Sequence, residues 1–297
     1  MEKIVIAIGG NAIEEVSALY KVCAQIALLH ERGFKLVLTH GNGPQIGELL
    51  LMHEAVKNKE SLDTLVAMTQ AQIGYKIQQA LQYYLKSNDK IYVIITRVLV
   101  DRKDEAFLNP TKPIGPLYDE EEALKLINQG YTLKKVTMGD KIGYRRVVPS
   151  PRPISILEIN AIKKLSEEGI VISCGGGGIP VVINEKGYIE GIEAVIDKDL
   201  TSSLLASELK YDKLLIATNI EKVKLNFMKE NEKSIDEMSL EEAKKYLDEG
   251  HFLEGSMKPK IIACIKFLEN GGKQAIITST DKILEAIYGN AGTKITK

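Results

Sequence analysis

The sequence predicts an α/β fold: a mostly parallel sheet with helices on both sides, and one lobe that leaves it. Three observations predict this. Short β-branched runs alternate with longer amphipathic stretches, the pattern of strands buried on both faces between crossover helices. Several of those runs pass directly into glycine-rich turns. One proline-rich stretch, residues 101–153, breaks the alternation. The chain has 297 residues, 44% of them hydrophobic, enough to bury a core as a single domain without covalent staples.

The elements follow in chain order. Residues 4–8 form an apolar run ending in Gly9-Gly10, residues 16–29 carry helical spacing, and residues 34–39 form the next strand, ending in His40-Gly41-Asn42-Gly43-Pro44. Residues 46–85 read as helical, broken around 58–61, and residues 91–100 read as one strand. Further strands are expected at 170–174, 194–196, 214–218 and 275–278, and helices at 158–168, 200–209 and 258–269. Segment 101–153 holds six of the nine prolines, and only 120–128 there has helical character. Proline fixes φ and cannot donate to a sheet ladder. The segment is too long for a plain connection, so it is expected to be a small protruding lid inserted in a single domain spanning 1–297.

Composition excludes several function classes. Lys plus Arg number 39 against 40 Asp plus Glu, for a net charge of -1, so nothing global favours nucleic acid or an anionic membrane as partner. Normal apolar content argues against disorder. No run approaches the roughly 20 apolar residues of a membrane helix, and Met1-Glu2-Lys3 leads straight into a strand, so no secretory leader is expected. Cys23, Cys174 and Cys264 lie far apart with no C-x-x-C among them. Reduced thiols in a cytoplasm are therefore expected, with no disulfide framework and no protein-built metal site.

The chemistry concentrates at strand ends. Gly9-Gly10-Asn11, Gly41-Asn42-Gly43 and Gly175-Gly176-Gly177-Gly178 each follow an apolar run. In an open α/β sheet, ligands bind outside the carboxyl ends of the strands, and glycine there lets amide N–H groups approach phosphate oxygens. Any one such turn can be mere geometry; three together favour an anion. A P-loop is absent, and Gly47 follows Gly41-Asn42-Gly43 one position too late for the dinucleotide fingerprint. Protein-kinase signatures are absent as well. Asp197-Lys198-Asp199 opens a helix, where the plain interpretation is a helix cap with a solvated lysine. Lys258 and Lys260 flank Pro259 at another helix start, where cations are unfavourable unless an anion joins them. Lys112 adds a cation between Pro110 and Pro113.

With these residues in view, the chain resembles the carbamate kinases of the amino acid kinase family. The likeness rests on AIGGNA (7–12), THGNGPQIG (39–47), AMTQAQIGY (67–75), DEAFLNPTKPIGP (104–116), RRVVPSPRP (145–153), SCGGGGIPV (173–181), EAVIDKD (193–199), GSMKPK (255–260) and QAIITS (274–279). The resemblance implies a three-layer αβα sandwich with an open sheet and a protruding subdomain. It implies ATP, Mg²⁺, a homodimer, and reversible phosphoryl transfer between ATP and carbamate, usually run toward ATP in arginine catabolism. By position it implies Lys198, Asp199 and Lys260 as catalytic groups, with Lys112 reaching the transferred phosphate from the lobe. Gly9, Gly10, Asn11, Gly41, Asn42 and Gly43 would cradle carbamate and γ-phosphate. Asn219, Val223 and Met257 would meet the nucleotide. Lys258 stands where the family more often has a small or apolar residue, and reads either as an added contact to the nucleotide phosphates or as a solvated side chain. Segment 11–40 is shorter than is usual in the family.

Two other interpretations compete. One is a different amino acid kinase acting on a carboxylate such as N-acetylglutamate, against which the motifs of 101–153 weigh. The other is a non-catalytic nucleotide-binding module, which would be expected to lack one of Lys112, Lys198, Asp199 or Lys260.

Overall fold

The computed structural model describes residues 2–56, 60–138, 141–253 and 255–297. It begins with β1 (Lys3–Ile8), the single turn α1 (Asn11–Glu14), α2 (Val16–Glu31), β2 (Lys35–His40), α3 (Gly43–Ala55) and α4 (Leu62–Tyr84). β3 (Ile91–Val93) and β4 (Arg97–Leu99) precede a lobe made of β5 (Lys112–Tyr118), α5 (Glu120–Asn128), β6 (Leu133–Met138) and β7 (Lys141–Val148). Then come β8 (Ser155–Ile156), α6 (Ile159–Ser166), β9 (Ile170–Ile172), β10 (Ile179–Ile183), β11 (Ile189–Gly191) and α7 (Lys198–Glu208). The last third holds β12 (Lys213–Thr218), β13 (Val223–Leu225), β14 (Lys233–Ile235), β15 (Glu237–Ser239) and α8 (Leu240–Asp248). It ends with α9 (Met257–Glu269), β16 (Gln274–Ser279), α10 (Ile283–Ile287) and β17 (Thr293–Thr296).

Among the described residues, the central sheet has eight strands in the order β15-β17-β16-β12-β1-β2-β9-β3. Its neighbours run parallel, except β16 against β17. The pleat of β1 divides the core. Val5 and Ala7 pack in one layer with Leu205 of α7 and Phe267 of α9. Ile4, Ile6 and Ile8 pack in the other with Ile26 of α2, Ile77 of α4 and Ile283 of α10. All five are fully buried, and each large side chain so placed contributes about 1.5–3 kcal/mol by leaving water. The fold is therefore the expected three-layer αβα sandwich.

A smaller sheet, β11-β10-β4-β8, lies beside the main one. The apolar run 91–100, expected as one strand, is in fact two strands in two sheets. The side chain of Gln70 on α4 causes the break. Its Oε1 accepts from the Thr96 amide at 2.7 Å and its Nε2 donates to the Thr96 carbonyl at 3.1 Å. The Thr96 amide thus leaves the main ladder for a side chain, while its carbonyl also accepts the Ile179 amide at 2.9 Å and opens the pairing with β10. The expected strand at 194–196 is not a strand either. Ala194, Val195 and Ile196 are buried, and Val195 donates to the Pro149 carbonyl. The apolar run recorded burial, not sheet pairing.

The lobe leaves through β4 and returns through β8, which are antiparallel neighbours. Its own sheet, β5-β7-β6, is antiparallel. A third apolar cluster seats it on the body, joining Ile114 and Val148 of the lobe to Ile46 of α3 and Leu62 and Val66 of α4.

Candidate active site

β1 lies between β12 and β2, reached by connections that run opposite ways along the sheet. That is the switch point at which open α/β sheets form a crevice. Gly9 and Gly10 follow β1, Gly41, Asn42 and Gly43 follow β2, and Asn219 follows β12. The turns are tied together: the Gly9 amide donates to the Ala217 carbonyl at 2.9 Å and the Gly41 amide to the Ile8 carbonyl at 3.0 Å.

Three adjoining cavities open there. The first, about 210 Å³, is lined by Gly41, Asn42, Gly43, Lys112, Lys198 and Lys260, together with Asp197, Asp199 and Ser256. The second, about 360 Å³, is lined by Gly9, Gly10, Thr218 and Asn219 and shares Lys198 and Lys260 with the first. The third, about 70 Å³, is apolar at Phe227, Phe252 and Met257 and shares Asn219 and Lys260 with the second. A larger open cleft of about 820 Å³ between β10 and the stem of the lobe contains none of the candidate residues.

The cations of the first cavity are organised by two aspartates. Lys198 Nζ donates to Asp199 Oδ1 at 2.6 Å, and Lys260 Nζ lies 3.1 Å from Asp199 Oδ2. Lys112 Nζ donates to Asp197 Oδ2 at 2.9 Å. Asp197 Oδ1 accepts from the Asp199 and Leu200 amides and so caps α7. Burial alone would raise the Asp199 pKa; the Lys198 and Lys260 ammoniums outweigh it and hold the carboxyl well below the usual range. Asp199 is therefore an anion at neutral pH, a brace for two lysines rather than a base. The amino ends of α3, α7 and α9 all border this cavity, and each adds partial positive charge.

The third glycine turn has a different part from the one its sequence suggested. Gly175, Gly176, Gly177 and Gly178 are all buried, and of these Gly176 borders the first cavity. A Cβ on Gly175 would lie 2.3 Å from the His40 ring, and one on Gly176 2.1 Å from the Asn42 amide. The turn is a floor against which the Gly41–Gly43 cradle rests. Gln70 pins it by donating to the Gly175 carbonyl at 3.0 Å, and Thr69 accepts from Asn42 Nδ2 at 2.9 Å. His40 is buried beneath the cradle, bonded through Nδ1 to the Gly41 carbonyl at 2.9 Å. Burial pushes its pKa down to about 4, with Lys198 adding to the effect, so the ring is neutral.

Lys112, Lys198, Asp199 and Lys260 thus come together, with Gly41, Asn42 and Gly43 beside them and Gly9 and Gly10 next door. Asn219 and Met257 border the outer cavities. Asn11 starts α1, but its side chain lies outside the described residues. Val223 is wholly buried in the core, its amide donating to Thr293 Oγ1, and Lys258, in the first turn of α9, is not among the residues lining the three cavities. Val223 thus lies beneath the cavity surface where the nucleotide was expected. Residues missed from sequence are Asp197 as partner of Lys112, Ser256, and the aromatic pair Phe227 and Phe252. Asp197 and Ser256 sat inside quoted motifs, whereas the two phenylalanines lie in loops with no pattern to mark them.

Comparison with known proteins shows the family. Residues 2–279 match the amino acid kinase family. The chain is 44% identical to the carbamate kinase of Pyrococcus horikoshii, over 99% of each chain. A structure from Aeropyrum pernix K1 superposes with TM-score 0.93 at 42% identity, covering 99% of both chains. Giardia lamblia carbamate kinase bound to AMP-PNP superposes with TM-score 0.89 at 38% identity, covering 100% of this chain and 98% of that one. The chain belongs to the amino acid kinase family and is a phosphotransferase. Within that family its full-length likeness places it with the carbamate kinases.

Proposed function

We propose that the chain catalyses ATP + carbamate ⇌ ADP + carbamoyl phosphate. The observation that carries this is the convergence of Lys112, Lys198 and Lys260 on one small cavity between a glycine cradle and three helix amino ends. Phosphoryl transfer asks a protein mainly for positioning and charge neutralisation. A carbamate oxygen attacks the γ-phosphorus, the bond to the β,γ-bridging oxygen breaks, and its electron pair leaves with ADP. Carbamate is already anionic at the attacking oxygen, so no proton has to be removed.

In this mechanism Lys198 and Lys260 neutralise the phosphate oxygens, and Asp199 fixes both ammoniums. Lys112 brings the lobe's charge to the transferred group. Gly9, Gly10, Asn11, Gly41, Asn42 and Gly43 receive carbamate and the γ-phosphate, while Asn219 and Met257 meet the nucleotide. The remaining wall of the first cavity includes Ile46, Pro113, Ile114 and Val195. These offer no charged group for the amine or side-chain carboxylate of an amino acid, which favours a very small acceptor. The lobe, seated beside the cavity by Ile114 and Val148, would help to keep water from a labile substrate.

Magnesium fits as a companion of the nucleotide. The carboxylates in the first cavity, Asp197 and Asp199, are engaged by lysines, and the described residues hold no group of three or more potential ligands. This donor set suits an ion carried largely by substrate phosphates; its chemistry would be to offset their charge.

A homodimer is supported by Met68, Tyr75 and Tyr83, exposed at helical spacing along α4. The free, buried cysteines suit a reducing cytoplasm. No helix among the described residues is long and apolar enough to cross a membrane. The family likeness favours ATP formation, in arginine breakdown, as the physiological direction. Formation of ATP from ADP and carbamoyl phosphate in a coupled assay tests the reaction. No turnover there, with turnover of N-acetylglutamate and ATP instead, would overturn it.

A further inference from the structure

Lys198 and Asp199 have parts in the proposed reaction; Asp197, which caps α7 and receives Lys112, has none in it so far. Asp197 does more than cap. One oxygen, Oδ1, accepts the Asp199 and Leu200 amides, while the other, Oδ2, accepts Lys112 Nζ from the lobe. Its side chain is only 17% exposed. We infer that Asp197 is a positioning residue: it ties the lobe's Lys112 to the amino end of α7 and holds that ammonium at the phosphoryl cavity. The inference rests on the proposed reaction only for what the held lysine is used for.

The surrounding segment supports a tether. Glu193 Oε1 accepts from the Leu62 amide at 2.7 Å, and Glu193 Oε2 lies 3.7 Å from Arg146 Nη2 of the lobe. That guanidinium stands 4.0 Å over the Tyr131 ring. Val195 donates to the Pro149 carbonyl at 3.0 Å. Residues 193–197 therefore grip the lobe at three points and then become the helix that carries Lys198 and Asp199. Lysine is long and rotamer-rich, and this one stands on a lobe joined to the body through β4 and β8. Without a fixed carboxylate it would sample many positions, few of them over the transferred group. A cap alone requires one acceptor oxygen, which asparagine supplies equally well; the second oxygen needs another reason, and Lys112 is that reason.

The test is a double-mutant cycle on the full chain. Asp197→Asn keeps the cap and removes the tether. It should lower kcat for ATP formation about tenfold, the scale of one lost charge-assisted hydrogen bond, with less than about threefold change in KM for ADP. In a Lys112→Ala background the same substitution should change kcat by less than about twofold. Asp197→Ser, which also caps, should repeat both results. Equal losses in both backgrounds, or no loss in the parent, would overturn the tether. A second readout needs no activity. Acylation of Lys112 by an amine-reactive reagent, followed by mass spectrometry, should quicken in Asp197→Asn because the ammonium is no longer held; an unchanged rate counts against the tether. Faster labelling in a chain without carbamate kinase turnover would leave the tether standing and sink the reaction. Turnover with neither coupling nor faster labelling would do the reverse.

Discussion

Asp199→Asn is the most revealing single change, because it alters one charge with almost no change of shape. Asp199 is 4% exposed in its side chain and faces ammoniums at 2.6 and 3.1 Å. Losing two charge-assisted hydrogen bonds, each about 1.5–3 kcal/mol, would leave two cations side by side. Lys198 and Lys260 keep 15% and 18% exposure, so they can swing toward water, and the net loss of stability should be about 2–4 kcal/mol. Turnover should fall by roughly 10²–10³, because two transition-state donors lose their common brace. The pocket gains net positive charge, so phosphate or ADP should raise the melting temperature more in the variant than in the parent. The sign of the pH effect follows from the depressed pKa. The carboxylate stabilises the fold above the unfolded value near 3.8 and loses that contribution only as pH falls through the still lower folded value. The stability gap between parent and variant should therefore be full at pH 7 and narrow only in strong acid. Urea denaturation, thermal shift with added anion, and the coupled assay measure these quantities. A variant with near-parental kcat and an unchanged unfolding midpoint would refute the claim that one carboxylate organises both lysines.

Lys198→Ala and Lys260→Ala should each reduce kcat by roughly 10²–10³, read in the coupled assay; near-parental turnover in either would remove that lysine from the mechanism. Lys112→Ala should damage kcat more than KM for ATP, since the lobe acts on the transferred group, and a pure KM effect would contradict this. His40 makes stability depend on pH in mild acid. Its folded pKa is about 4 against 6.5 for the free side chain, so below pH 6.5 the unfolded chain binds the extra proton and stability falls until about pH 4. The full difference is about 3 kcal/mol. The slope of the urea midpoint against pH over that window should flatten in His40→Asn, whatever the absolute stability of the variant.

Much of the fold was legible because burial on both faces leaves an unmistakable record. The run 4–8 became β1, 214–218 fell within β12, and helix 120–128 in the lobe fell on α5. The misses share a physical cause. An apolar run reports burial, and burial does not specify a pairing partner. Residues 194–196 are buried without joining a sheet, and 91–100 changes sheet at Thr96, where Gln70 of the preceding helix takes that residue's amide and shares its carbonyl with the Ile179 amide. Of the charged part of the site, Lys258 and Lys260 were legible from the residues as cations at a helix start that call for an anion. The parts of Lys112, Lys198 and Asp199 came from the family resemblance, since Asp197-Lys198-Asp199 alone reads as a helix cap with a solvated lysine. Gly175 to Gly178 were legible as a turn but not as a floor, since only the fold brings His40 and Asn42 against them. The wall formed by Phe227 and Phe252 was illegible because it lies in irregular chain, where neither period nor motif marks a residue.

Among the described residues, His40 and Asp199, which could otherwise serve as bases at the cradle, are disarmed by opposite means. His40 is buried until its proton affinity is too low to draw one at neutral pH, and its Nδ1 is committed to the Gly41 carbonyl. Asp199 is held so firmly as an anion by two ammoniums that it is a poor proton acceptor as well. Asp197 is occupied by Lys112 and the helix it caps, and His251, beside the small outer cavity, is bonded to Glu249 at 3.0 Å. An acceptor with a hydroxyl nucleophile would need a base at the cradle, because an alcohol must lose its proton as the new bond to phosphorus forms. An acceptor that arrives as an oxyanion needs none, and gains directly from amide donors, helix ends and lysines. The electrostatics of the site thus restrict the acceptor to a carboxylate-like anion, and the apolar wall of Ile46, Ile114 and Val195 restricts it further to one with little beyond that anion to recognise.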